Sequence, residues 1–116
     1  TAFLDVFSMT NDFEVASLLQ SKDFDILIDL TSHTYSGRIN ILALKPAPII
    51  INYLGFPGTT GCAAYDYSMV DRHVVPPEIH SQAFSENLIY LPYSYQANSM
   101  PIGVPVCNNL LDCRRR

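Results

Sequence analysis

The hydrophobic residues of this chain are concentrated in short segments that have the length of β-strands. Residues 24–30 and 49–54 are rich in isoleucine and leucine, which is typical of strands mostly buried in a sheet. Residues 67–70 and 88–91 look like two further strands, and residues 2–7 form a further apolar run that predicts a strand or the entry to one. The pattern therefore predicts three or four strands in the body of the chain.

Helices are predicted between these strands by capping signals and by spacing. Asn11 followed by Glu14 forms a capping box, which predicts a helix near residues 11–21. Its apolar stripe is expected to consist of Phe13, Ala16, Leu18 and Leu19. Residues 38–45 have room for about two helical turns before two prolines end them, and residues 78–83 predict another short helix.

The connection between the first two long apolar segments decides how those strands pair. Residues 31–47 separate them by 17 positions, more than the roughly dozen that a parallel crossover requires. Strand, helix and strand in this order form a right-handed βαβ unit. The chain is therefore predicted to be an α/β protein with a Rossmann-like parallel sheet.

Two turns rich in serine, threonine and glycine follow the two strands, at residues 31–37 (Thr-Ser-His-Thr-Tyr-Ser-Gly) and 55–61 (Gly-Phe-Pro-Gly-Thr-Thr-Gly). In a parallel sheet both emerge at the carboxyl edge, where open α/β folds bind their ligands. Gly55 is expected to let a ligand approach the backbone, and Gly58 and Gly61 to allow conformations closed to other residues. The alternative is that the glycines serve turn geometry alone.

Among the side chains of the first turn, that of His33 can take part in the widest range of chemical interactions. It is expected to be accessible and suited to hydrogen bonding or acid/base chemistry, whereas the alternative is a histidine that satisfies only local backbone groups. Asp29 is expected to accept backbone N–H groups of the turn rather than to act in catalysis. His73 and His80 are expected at the surface, and no metal is expected because no metal-ligand spacing occurs.

The amino-acid composition disfavours some classes of binding partner and indicates a cellular location. With 116 residues, 48% hydrophobic and 16% charged, the chain is expected to be one packed unit and a segment of a longer protein. A net charge of −4 disfavours nucleic-acid and anionic membrane surfaces, and no apolar run reaches the span of about 20 residues that a bilayer needs. The three cysteines form no Cys-x-x-Cys pair, so reduced thiols and a cytoplasmic or nuclear location are expected.

An ordered set of motifs resembles one known family. Residues 25–34 (Asp-Ile-Leu-Ile-Asp-Leu-Thr-Ser-His-Thr), 44–49 (Leu-Lys-Pro-Ala-Pro-Ile), 53–61 (Tyr-Leu-Gly-Phe-Pro-Gly-Thr-Thr-Gly) and 66–67 (Asp-Tyr) carry the resemblance. Together they resemble the catalytic region of the O-linked N-acetylglucosamine transferases, a family that includes the Spindly-type protein O-fucosyltransferases. The motifs cover roughly residues 12–98, most of the chain.

The resemblance implies part of a GT-B glycosyltransferase, in which two Rossmann-like lobes enclose the active site and tetratricopeptide repeats precede them. Residues 1–97 would form part of the N-terminal lobe, and residues 98–116 a divergent or disordered tail. By position, the resemblance implies a pocket for the donor sugar and the acceptor hydroxyl lined by His33, Leu54, Gly55, Phe56 and Pro57. It identifies no catalytic residue. Some members have tyrosine in place of His33, and Ser32 replaces the usual glycine.

The resemblance further implies transfer of N-acetylglucosamine from UDP-N-acetylglucosamine to Ser or Thr of proteins, with inversion and without a metal or other cofactor. The nucleotide would be held by a C-terminal lobe that this chain lacks, so the segment is expected to be inactive alone. Three alternatives are a protein O-fucosyltransferase that uses GDP-fucose, a non-catalytic Rossmann-like interaction domain, and an unrelated small-molecule-binding module.

Overall fold

A computed structural model describes residues 3–97, without the side chains of residues 80 and 81. At its centre is a parallel four-stranded sheet in the order β1-β2-β3-β4, made of Ile26–Asp29, Ile49–Asn52, Tyr67–Val70 and Asn87–Tyr90. The helices are α1 (Asp12–Gln20), α2 (Ile39–Ala43) and α3 (His80–Ala83), with a 3-10 turn at Pro77–Ile79. The predicted parallel α/β fold is confirmed, and β4 begins and ends one residue earlier than predicted.

Helix α1 begins at the predicted cap. The Asn11 Oδ1 atom accepts from the backbone N–H of Phe13 at 3.0 Å, and its Nδ2 atom donates to Glu14. The predicted apolar stripe was partly wrong, since Phe13 is 66% exposed. Val15, which the stripe omitted, is buried with Ala16 against Ile41 of α2. The nine-residue helix packs on α2, so the side facing α2 determines which residues are buried.

The apolar run at residues 3–7 is not a strand, so that prediction was wrong. Its backbone groups take part in local turns instead: Phe7 N–H donates to the Asp5 carboxylate at 2.9 Å, and Met9 N–H donates to the carbonyl oxygen of Val6 at 3.1 Å. The side chains of Phe3 and Phe7 are exposed. Hydrophobicity alone did not make this segment a strand, because in the described part of the chain no neighbouring strand pairs with it.

Strand β1 was expected to be mostly buried, and this was wrong. Ile26, Ile28 and Leu30 are each about half exposed, because β1 lies at the edge of the described sheet and has a neighbour on one side. Strand β2 lies between β1 and β3 and is buried, with Ile50 fully enclosed. The same kind of apolar sequence is therefore buried or half exposed according to its place in the sheet.

The register of the sheet determines where the loop that follows β2 lies. Strand β1 pairs with β2 over four positions, but β2 pairs with β3 only through Ile51↔Tyr67 and Asn52↔Ser68. Strands β3 and β4 are therefore displaced toward the carboxyl edge. Residues 53–66, which contain no helix, return from the end of β2 to the start of β3. Among the described residues, no helix is long and apolar enough to cross a membrane.

Candidate functional site at the carboxyl edge of the sheet

The two polar turns meet at the carboxyl edge, as the parallel pairing predicted. The Nε2 atom of His33 lies 2.8 Å from the carbonyl oxygen of Thr60 in the second turn. The His33 ring also meets the Phe56 ring edge to face, with centroids 5.2 Å apart and planes at 81°. His33 is exposed, as expected. Its hydrogen bond reaches a residue 27 positions away, so the alternative of purely local backbone bonding is wrong.

The bond to Thr60 defines the tautomer of His33. A carbonyl oxygen can only accept a hydrogen bond, so Nε2 must carry the proton. In neutral His33, Nδ1 is then the unprotonated nitrogen, and none of the described groups of residues 3–97 donates to it. An exposed lone pair of this kind can accept a hydrogen bond, or a proton, from a hydroxyl group.

Asp29 ends β1 and organises the first turn. Its carboxylate accepts the backbone N–H of Thr31 at 2.9 Å and that of Ser32 at 3.1 Å, which confirms the expected structural role. It also accepts the hydroxyl proton of Tyr65 at 2.6 Å, a contact that ties the end of the loop at residues 53–66 to the first turn. One buried carboxylate therefore shapes the first turn and ties it to the end of the loop at residues 53–66.

The surroundings of Asp29 and Tyr65 determine whether each side chain is ionised. Burial raises the pKa of Asp29, but the hydrogen bonds from Tyr65 and from the backbone of Thr31 and Ser32 more than offset it, so the pKa lies below its ordinary value. Burial and the bond to Asp29 raise the pKa of Tyr65 far above its ordinary range. Asp29 is thus a fixed anion and Tyr65 a fixed hydrogen-bond donor, and neither is suited to proton transfer near neutral pH.

Asn52, the last residue of β2, supports the second turn through hydrogen bonds. The buried Asn52 Nδ2 atom donates to the carbonyl oxygens of Phe56 at 3.2 Å and Gly58 at 3.1 Å. These bonds fix the backbone on both sides of Pro57. The polar residue at the end of an apolar strand thus supports the loop that follows it.

Glu86, next to β4, holds the later half of the same turn. Its carboxylate accepts the backbone N–H of Thr60 at 2.6 Å, the Thr60 hydroxyl, and the Thr59 hydroxyl at 2.8 Å. Burial raises the pKa of Glu86, but the hydrogen bonds from Thr60 and Thr59 more than offset this, so the pKa is lowered. The carboxylate is therefore ionised at neutral pH.

Leu54 has an unusual backbone conformation at the start of the second turn. Its φ is +72°, and the flanking Gly55 N–H donates to the carbonyl oxygen of Tyr53 at 2.9 Å. This is the strained form of the γ-turn, which non-glycine residues rarely adopt. The surrounding hydrogen bonds therefore hold Leu54 in a conformation that it would not keep alone.

The three glycines of the second turn play different roles. A β-carbon on Gly55 would overlap the carbonyl oxygen of Leu30, so this glycine permits close contact between the start of the second turn and the end of β1. Gly61 has a φ of +63°, as expected of a residue closed to other side chains. Gly58 does not have a positive φ, and that expectation was wrong. A β-carbon there would come within 2.8 Å of the Phe56 ring.

All five predicted site residues lie at this one edge: His33, Leu54, Gly55, Phe56 and Pro57. His73 is exposed, whereas the side chain of His80 lies outside the described residues. Within the described part of the chain, no group of three His, Cys, Asp or Glu side chains could hold a metal. Open apolar cavities of about 600 and 370 Å³ lie beside residues 3–10, α1 and α2, and their linings also include Ser36 and Thr31 of the first turn.

Sequence reasoning missed the residues that support the site. Asn52 could have been found, because the amide N–H groups of a polar residue that ends a buried strand need acceptors in the loop that follows. Tyr65 and Glu86 gave no local signal, since their partners lie 26 to 36 positions away in the sequence. The supporting contacts therefore depend on the folded topology.

Comparison with known proteins identifies the family. The family model Glycosyl transferase family 41 matches residues 1–100. A probable UDP-N-acetylglucosamine–peptide N-acetylglucosaminyltransferase SEC from Arabidopsis thaliana is 41% identical over 96 residues, which cover 83% of this chain and 10% of that protein. The corresponding SPINDLY protein from Oryza sativa subsp. japonica is 39% identical over 95 residues, with coverages of 81% and 10%.

The fold has a solved counterpart. A mutant of the Thermobaculum terrenum O-GlcNAc transferase superposes with a TM-score of 0.72 at 34% identity, over 78% of this chain and 17% of that chain. This chain spans about a tenth of the length of the SEC and SPINDLY relatives. On the match of its sequence to the family model, the chain belongs to glycosyl transferase family 41.

Proposed function

We propose that this chain forms part of the catalytic region of a protein O-N-acetylglucosaminyltransferase, which transfers the sugar from UDP-N-acetylglucosamine to Ser or Thr hydroxyls. The observation that carries the proposal is the pairing of the two turns through His33 and Thr60 at the carboxyl edge. The relatives named for this reaction support the choice of donor and of a peptide acceptor.

In this proposal the second turn forms one wall of the sugar pocket. Leu54, Gly55, Phe56 and Pro57 supply the wall, and His33 stands beside it with its ring against Phe56. Because Nδ1 of His33 is unprotonated in the neutral ring, it accepts a hydrogen bond from a hydroxyl of the sugar or of the acceptor. The wall is kept rigid by Asn52 and by the γ-turn at Leu54.

The proposal also requires a partner lobe. A departing diphosphate needs positive charge or oriented N–H dipoles. Arg38 and Lys45 are already engaged in ion pairs, with Asp12 at 2.6 Å and Asp66 at 2.5 Å. On the family resemblance, we assign the nucleotide site to the C-terminal lobe of a GT-B enzyme, with tetratricopeptide repeats as a further part of the same protein.

The test uses the complete protein with labelled UDP-N-acetylglucosamine and a Ser/Thr-rich peptide, and GDP-fucose in a parallel reaction. Labelled N-acetylglucosamine on the peptide is the expected result. The His33→Ala variant should lower turnover more than nucleotide affinity. Transfer of fucose alone would replace the donor assignment, and binding of nucleotide with transfer of neither sugar would favour a non-catalytic role.

A further inference from the structure

Glu86 lies outside both turns, yet its side chain is directed entirely to one of them. It is 4% exposed, and its carboxylate accepts the Thr60 N–H, the Thr60 hydroxyl and the Thr59 hydroxyl. A buried carboxylate with three such donors fixes the groups that it binds. The peptide group that carries the Thr60 N–H therefore cannot rotate freely.

Thr60 connects this carboxylate to His33. Its N–H and hydroxyl are bound by Glu86, and its carbonyl oxygen accepts the Nε2 proton of His33 at 2.8 Å. Thr60 is itself buried, so water does not compete freely for these groups. The orientation of the imidazole thus depends on Glu86 through a single residue.

We propose that Glu86 is a positioning residue for His33: by fixing Thr60, it holds the imidazole in the Nε2–H tautomer and keeps Nδ1 available to a substrate hydroxyl. This inference rests on the proposed function and deepens it. Glu86 touches neither the imidazole nor the expected sugar wall directly, so it acts through Thr60 and is not a catalytic residue.

The chain offers a matched control for Glu86. The carboxylate of Asp71 is equally buried and accepts the backbone N–H groups of His73 and Val74 at 2.8 Å and of Tyr95 at 2.7 Å. These bonds do not involve either polar turn. Changing Asp71 to Asn therefore perturbs a similar buried carboxylate without altering the support of His33.

The first arm of the test is structural and needs no enzymatic activity. Long-range proton–nitrogen NMR on the chain, at a pH where His33 is neutral, should show a single Nε2–H tautomer. Glu86→Gln should give a mixture of tautomers, whereas Asp71→Asn should not. If Glu86→Gln does not fold, Thr60→Val removes one of the same hydrogen bonds and should shift the mixture in the same direction. An unchanged tautomer in the folded variant would overturn the proposal.

The second arm is kinetic and uses the complete enzyme. Glu86→Gln should lower kcat by about tenfold, with little change in the KM for the donor, because the positioned group is displaced. In a His33→Ala background the same change should cost about twofold at most, since the residue through which it acts is gone. Equal losses in both backgrounds would mean a purely structural role. No transfer by the wild-type enzyme would overturn the proposed function, and the NMR arm would still decide the tautomer.

Discussion

Gly55 lies directly against the carbonyl oxygen of Leu30, so that a β-carbon at this position would overlap that oxygen. Leu30 follows β1 and Gly55 follows β2, and their contact brings the two polar turns to the same edge. Backbone against backbone leaves no flexible side chain to move aside. The two turns can therefore lie this close together because Gly55 has no β-carbon.

Gly55→Ala is expected to lower the free energy of unfolding by about 2 kcal/mol or more, because the added carbon forces the two turns apart. Urea unfolding measures the change. Gly61→Ala is the control, since a β-carbon there meets open space and only its φ of +63° is unfavourable, at a cost of about 1 kcal/mol. An equal cost for the two variants would show that the overlap at Gly55 is relieved without strain.

Tyr65→Phe is expected to destabilise the chain by about 1.5 to 3 kcal/mol, because it removes a buried hydrogen bond to the charged Asp29. Thermal or urea unfolding would measure it at neutral pH. Tyr35→Phe removes the hydroxyl of a fully exposed ring and should leave stability unchanged. A Tyr65→Phe variant as stable as wild type would mean that another group replaces the lost donor.

Acid should destabilise the fold through its buried carboxylates. The pKa values of Asp29 and Glu86 are lowered in the folded state, so the unfolded chain binds more protons and stability falls as the pH drops. The contribution of Glu86 is fully present above its ordinary value of 4.5 and is lost as the pH falls through the lower folded value.

Urea unfolding between pH 2 and 7 should therefore show a shallower decline for Glu86→Gln than for wild type. The decline should not disappear in this variant, because the pKa values of Asp66 and Asp71 are lowered as well. Superimposable curves for the variant and wild type would contradict the stabilising role of the ionised Glu86.

The exposed side of β1 should tolerate a charged side chain. Ile26 is half exposed at the sheet edge, and Ile26→Lys is expected to change the unfolding free energy by less than about 1 kcal/mol. Urea unfolding measures the effect. Ile50→Lys places a charge at a fully buried position and should prevent folding. Severe destabilisation by Ile26→Lys would show that β1 is covered.

The elements that were predicted correctly from the sequence are those determined by residues nearby in the chain. Asn11 caps α1 as its spacing to Glu14 indicated, and the long connection before β2 correctly predicted a parallel pair. Burial was predicted less well, because it depends on neighbours. Ile26 and Ile50 have the same side chain, but one lies at an edge and the other between two strands.

For the site, sequence reasoning located the turns but not what supports them. His33 and Asp29 were identified because they follow a recognisable strand, and Asp29 binds the turn backbone as expected. For Gly55, sequence reasoning did not reveal the carbonyl oxygen of Leu30 as the neighbour that leaves no room for a β-carbon. Only the three-dimensional arrangement brings Glu86 to Thr60 across 26 positions.

The contact between Glu86 and Thr60 has a consequence for the order of folding. Strands β1 and β2 with α2 can form before Glu86 is synthesised, because all three elements precede it in the chain. The second turn gains its anchor only after Glu86 has been synthesised and β4 has docked beside β3. During translation, the sheet can therefore begin to assemble before its carboxyl edge is rigid, and that edge acquires its final shape among the last parts of residues 3–97.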